Sequence, residues 1–207
     1  MSLSGLFLIA FLTMHLAINL CMLWGPDVYN VACEFMGTNP FVKAMVPVLA
    51  GGFFIHIIYA FIINVKNSRA RGSVSYASRS KSLSSNAADG WASRNMLVLG
   101  IIVLGALGLH LAHFWSKMQL QAFSGGVEIA DPYALVVTVF QTPLYAACYL
   151  VWFVALWFHL NHGFWSAFQS VGVSNEKWLP WLRRASIAVS TVLCGGFALI
   201  VIWSWFL

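Results

Sequence analysis

TPLYAACYLVWFVALWFHLNHGFWSAFQSVG, residues 142–172, decides how this chain is to be read. Its apolar run is long enough to cross a bilayer, which takes roughly 20 residues, yet it carries His159 and His162 inside or at the edge of the run. An ionisable side chain is costly in hydrocarbon, so it turns toward a partner inside a bundle. Three other apolar runs hold a histidine near their middle: His15, His56 and His110. One histidine on each of four successive spans reads as four inward-facing ligands that meet in one bundle.

Composition agrees with a chain that lives in lipid. Of 207 residues 60% are hydrophobic and only 8% charged, whereas soluble domains carry about 25% charged residues. The expected fold is therefore an all-α integral membrane protein, one domain over 1–207, with five transmembrane helices at about 4–24, 45–65, 95–115, 143–165 and 186–206. The first run lacks a basic leader and a small-residue cleavage pattern, so it reads as a span rather than a signal peptide. Five spans leave little chain outside the membrane. A catalytic site for a soluble substrate would then sit on another polypeptide.

Nine of the 11 lysines and arginines fall in two loops: Lys66, Arg69, Arg71, Arg79, Lys81 and Arg94 between spans two and three, and Lys177, Arg183 and Arg184 between spans four and five. By the positive-inside rule these loops and the N-terminus are cytoplasmic and the C-terminus is outside. The net charge of +5 is thus a topology signal and not a nucleic-acid one. The serine-rich, basic 2–3 loop reads either as a linker held near anionic lipid or as a docking face for a peripheral subunit. The 1–2 segment mixes Tyr29, Phe35, Met36 and Phe41 with Asn30, Glu34 and Asn39, which suits an amphipathic segment on the outer face. Gly125-Gly126 and Asp131-Pro132 signal turns in the 3–4 loop. The fifth span, without histidine or charge, is expected to close the bundle and face lipid.

Four cysteines, Cys21, Cys33, Cys148 and Cys194, form neither CxxC nor CxxCH, which argues against an iron–sulfur cluster, a zinc ribbon or covalently attached haem. Neutral imidazole binds iron, zinc and copper alike, but a transport site for zinc or copper would add carboxylates or thiolates within the spans. No aspartate or glutamate lies in any expected span. Two non-covalent b-type haems, each held by two histidines, fit best. One turn before the histidines stand Phe11, Gly52, Ala106 and Ala155; three of these are small and leave room for a flat macrocycle. Depth along the spans pairs His56 with His159 nearer the cytoplasm and His15 with His110 nearer the outside. His113 and His162 each follow three residues later on roughly the same face, and read as hydrogen-bonding neighbours of haem propionates or of the interface.

The ordered set LSGLFLIAFLTMHLAINL at 3–20, YNVACEFMGTNPF at 29–41, GGFFIHIIYA at 51–60, WASRNMLVLGIIVLGALGLHLAHFW at 91–115 and TPLYAACYLVWFVALWFHLNHGFWSAFQSVGV at 142–173 resembles one family. It is similar to the five-helix, di-haem cytochrome b subunit of succinate dehydrogenase and quinol:fumarate reductase. The resemblance implies haem ligands at His15, His56, His110 and His159, with the same crossed pairing and with His113 as a rival to His110. It implies a bacterial inner-membrane, respiratory-chain anchor, itself not catalytic for succinate or fumarate. A flavoprotein and an iron–sulfur protein would dock on the cytoplasmic side, linking the tricarboxylic acid cycle to menaquinone or ubiquinone. Some relatives carry an acidic residue for quinone chemistry where this chain has Gly37, and Glu34, one turn earlier, would take its place as proton acceptor. Two rivals stand beside this reading: a di-haem anchor of a nitrate reductase, formate dehydrogenase or hydrogenase, and a small transporter or channel that carries protons or metal on its histidines.

Overall fold

Prolines mark where four of the helices begin, and the fold can be followed from one to the next. In this computed structural model, which describes residues 1–72, 87–120, 131–173 and 175–207, the described residues contain helices and no strands. Helix α1, Ser2–Leu20, ends in a 3₁₀ turn, Cys21–Trp24. The chain reverses at Gly25, whose φ of 100° is open to glycine and strained for other residues. Helix α2, Pro26–Thr38, and helix α3, Pro40–Arg71, follow. Then come α4, Ala87–Arg94, and α5, Met96–His110, which runs on as a π-helix over Leu111–Leu120. Helices α6, Pro132–Phe140, α7, Pro143–Ser170, and α8, Leu179–Ser204, complete the chain. Pro26, Pro40, Pro132 and Pro143 each stand in a helix's first turn, where the missing N–H has no intrahelical partner to lose.

Among the described residues five helices are long and apolar enough to cross a membrane: Ser2–Trp24, Pro40–Ala70, Met96–Leu120, Pro143–Ser170 and Leu179–Ser204. The protein is an all-α, multi-pass membrane protein. The second span starts five residues earlier than expected from hydropathy, because Asn39 caps it: its Oδ1 accepts from Phe41 N at 2.9 Å and Val42 N at 3.4 Å. The Asp131-Pro132 turn proves to be another cap. Asp131 Oδ1 accepts from Ala134 N at 3.0 Å and from Asn30 Nδ2 at 3.0 Å, while Asn30 Oδ1 accepts from Tyr133 N at 2.9 Å. These bonds tie α2 to the start of α6. The Ala134 N–H, then the Asn30 amide, hold the Asp131 carboxyl below its usual value. Arg79, Lys81, the Gly125-Gly126 turn and Glu128 lie outside the described residues.

The fifth span does not simply face lipid. Helix α8 is the most buried of the five and makes its most extensive contact with α7. Small residues explain this: Ser186, Ser190 and Ser204 are buried, and a Cβ on Gly196 would meet both δ-carbons of Leu16 at 2.8 Å. In lipid, such small residues let helix backbones approach and gain dispersion contacts that hydrocarbon cannot replace. Ser186 Oγ also donates to Asn161 Oδ1 at 2.8 Å across the α7–α8 seam. Helix α3 is the opposite case: its most apolar window buries nothing, and it touches α1 and α2 far more than α5. A wide space is therefore left between α3 and helices α5 and α7.

Candidate functional site

That space is a cavity of about 2230 Å³, lined by His15, His56, His110, His159 and His162 among mostly apolar side chains. Pockets for single small ligands run to about 300–1,000 Å³, so this one has room for more than one large group. All four candidate ligands are only half-buried although they sit within the bundle, because each presents its ring to the cavity.

The rings meet in twos. His15 and His110 have ring centres 5.7 Å apart, inclined at 89°, and His56 and His159 have centres 6.2 Å apart, inclined at 64°. Two imidazoles that bind one metal from opposite sides at about 2 Å each would have ring centres about 6 Å apart. Both couples are within that reach. Among the described residues no three His, Cys, Asp or Glu side chains gather into a cluster able to hold a metal. The donor set on offer is two neutral imidazoles per couple, which suits a metal whose equatorial positions come with a macrocycle.

The couples lie at different depths, and helix register measures the difference. Ser4 of α1 lies against His56, its Oγ 3.4 Å from Nδ1, and His15 stands eleven residues further along the same helix. On α5, a Cβ at Gly100 would lie 3.8 Å from His159 Cε1, and His110 follows ten residues later. Either count, at about 1.5 Å per residue, separates the couples by roughly 15 Å along the bundle.

His113 leaves the face that its spacing predicts. An α-helix would set it near His110, but the chain after His110 winds as a π-helix, whose i→i+5 bonds give each residue a smaller turn. Three residues then fall well short of a full turn, and His113 points away from the cavity. Its Nδ1 lies 3.2 Å from Tyr149 Oη, and its ring centre is 4.4 Å from that of Tyr145. His162 does line the cavity, with its ring edge-on to Trp165 at 5.2 Å.

The small residues before the histidines do not provide the room expected of them. A Cβ on Gly52 would meet the Phe7 ring at 2.6 Å, so Gly52 serves the α1–α3 contact. Ala155 is buried against Ala92 and Leu99. The room comes from the separation of α3.

Glu34 is exposed on α2 and lines the cavity together with Gly37 and Gln119, whose Nε2 is 3.7 Å from where a Gly37 Cβ would stand. Tyr29, also on α2, is buried and donates to Asn19 Oδ1 at 3.4 Å, and Asn19 Nδ2 in turn lies 3.5 Å from both ring nitrogens of His15. Burial, followed by the neighbouring Cys33, pushes the Tyr29 phenol up, so it stays neutral and able to donate. Ser4, Asn19, Tyr29 and Trp152 are site residues that periodicity did not single out. Asn19 alone left a signal, four residues after His15 on one helix face. Among the described residues, two buried nitrogens at the cavity have no hydrogen-bond partner: His159 Nδ1 and Trp152 Nε1. No protein-family profile, curated protein or solved structure matches this chain.

Proposed function

We propose that this chain is the di-haem cytochrome b anchor of a succinate dehydrogenase or quinol:fumarate reductase, in a bacterial inner membrane. It carries electrons between an iron–sulfur subunit on the cytoplasmic side and quinone in the bilayer. The observation that carries the reading is the pairing of four histidines into two couples, 5.7 and 6.2 Å between ring centres, along one membrane-spanning cavity. The cavity volume, the two-imidazole donor sets and the orphaned nitrogens all suit bound haem. Such haem would supply one-electron cycling between ferrous and ferric iron, held by the four histidines.

The chain's own residues do the rest. His56 and His159 would hold the inner iron, and His15 and His110 the outer one. A hydrocarbon core of about 30 Å is too thick for one electron hop, and two sites roughly 15 Å apart along the helices divide it. Lys66 and Arg94 line the cavity at the end where Met1 and His56 lie, where propionate carboxylates would find positive charge. The same basic end is the cytoplasmic one by the positive-inside rule and would receive the flavoprotein and iron–sulfur subunits. At the opposite end Glu34 is placed to exchange the proton that accompanies electron transfer to menaquinone or ubiquinone.

A dithionite-reduced minus oxidised spectrum of the purified protein, with haem quantified per chain, tests the reading. Two b-type haems per chain and co-purification of a covalent-flavin subunit are expected. An intact, folded preparation without haem would overturn it. Two haems with a different soluble partner would move the chain to another respiratory complex.

A further inference from the structure

We infer that Ser4 fixes the tautomer of His56 and strengthens it as a ligand, so that one serine hydroxyl sets the potential of the inner iron. This rests on the two-haem reading. The Ser4 side chain stands in the first turn of α1, where its Oγ donates to the Met1 carbonyl at 2.8 Å and also lies 3.4 Å from His56 Nδ1. A hydroxyl has one proton and two lone pairs. A carbonyl oxygen has no proton to give, so the Ser4 proton is committed to Met1. With that proton on Met1, Ser4 presents a lone pair toward His56, and the proton in that contact is assigned to Nδ1.

The tautomer follows. With Nδ1 protonated, the lone pair of the ring is on Nε2, the nitrogen left to bind metal. Packing holds the ring the same way round: a Cβ on Gly5 would lie 3.5 Å from His56 Cε1 and 3.8 Å from Nδ1, so the Nδ1 edge rests against the first turn of α1. The ring also lines the cavity, opposite His159. The two rings of this couple are unequal, since His159 Nδ1 is buried with no partner. A hydrogen bond accepted from the remote N–H of a ligating histidine orients the ring and raises its basicity. A more basic ligand favours ferric over ferrous iron and lowers the potential. Ser4 is thus a positioning residue, and α1 serves both sites: His15 directly and His56 through Ser4.

The test is a redox titration of the purified full-length protein, followed by difference spectra and by the low-spin ferric resonance. Wild type, Ser4→Ala, Ser4→Gly and Ser4→Thr are compared, and His56→Ala identifies the inner component. Ser4→Ala and Ser4→Gly should raise the reduced-to-oxidised ratio of the inner component several-fold at a fixed ambient potential, a tenfold change being about 59 mV for one electron. The outer component should not move, and Ser4→Thr, which keeps the hydroxyl, should stay near wild type. Loss of the inner haem alone in the alanine and glycine variants, with both haems kept in the threonine variant, supports the same role, because removing an outer partner weakens metal sites by about 10–100-fold. An unchanged inner component in Ser4→Ala and Ser4→Gly, or a threonine variant that shifts as they do, overturns the inference and leaves the functional reading standing. Wild-type protein without haem overturns both.

Discussion

His159→Ala should halve the haem content. The two couples share no residue and lie roughly 15 Å apart along the helices, so on the two-haem reading truncating one ring would remove a ligand from the His56–His159 site and none from the His15–His110 site. Among the four histidines His159 is a clean choice, because its Nδ1 makes no hydrogen bond that alanine would break. His56 would lose Ser4, and His15 would lose its contact with Asn19. The lost ring faces a cavity that is already about 2230 Å³, so the bundle has little packing to lose. The expected result is one haem per chain instead of two, a half-amplitude difference spectrum, and helicity by circular dichroism equal to wild type. His15→Ala should remove the other half, and the double variant should bind none. His159→Met should keep both haems and raise the inner potential, as a His/Met pair does relative to two histidines. Two haems in His159→Ala, or none while helicity and the outer couple are intact, would refute the assignment of independent couples.

Three further outcomes follow from the packing and the caps. Gly196→Ala brings a Cβ within 2.8 Å of both δ-carbons of Leu16, next to an outer ligand, and should cost about 1–3 kcal/mol as overpacking does, read by thermal unfolding in detergent together with a shift confined to the outer haem band. Ser186→Ala leaves the buried Asn161 Oδ1 without its 2.8 Å donor and should destabilise by about 1–3 kcal/mol, whereas Ser170→Ala on the exposed end of α7 should be silent in the same assay. The Asp131 carboxyl is held below its ordinary value of 3.8, so the stability it adds is fully present above that value and is lost as pH falls through its lower folded value. Asp131→Asn should flatten the acid limb of a melting-temperature profile measured from pH 6 to pH 3 on the order of one unit steps, and an unchanged limb would show that the tie between α2 and α6 adds nothing.

Much of the site was legible because lipid simplifies the reading. With 8% charged residues, the few ionisable side chains in apolar runs stand out, and a histidine in hydrocarbon has to face inward. His15, His56, His110 and His159 could be picked for that reason, and their depths along straight helices put them into couples before any contact was known. Five spans were equally visible, since length and hydropathy are local properties. Short helices were not: α4 and α6 lie in stretches that read as loop and turn, and the bonds from Asn30 to Asp131 and Tyr133, with burial of Val136, Val139 and Phe140, hold α6 in place.

The tertiary structure decided what depends on how helices are turned and how far apart they stand. Local spacing placed His113 beside His110, but a π-helix turned it to Tyr149, because three residues cover less of a turn when the hydrogen bonds run i→i+5. Gly52 and Ala155 read as room for a macrocycle and instead pack against Phe7, Ala92 and Leu99. The room exists because α3, packed on α1 and α2, barely touches α5. Ser4 drew no notice in the sequence, being one small polar residue at a helix start; its meeting with His56 across 52 positions depends on how α1 packs on α3. Sequence alone determined the spans and which histidines lie within them, since the burial energy of each residue in lipid is nearly independent of its neighbours. The ring distances and the cavity were left to the fold, since each is a distance between helices that no single helix encodes.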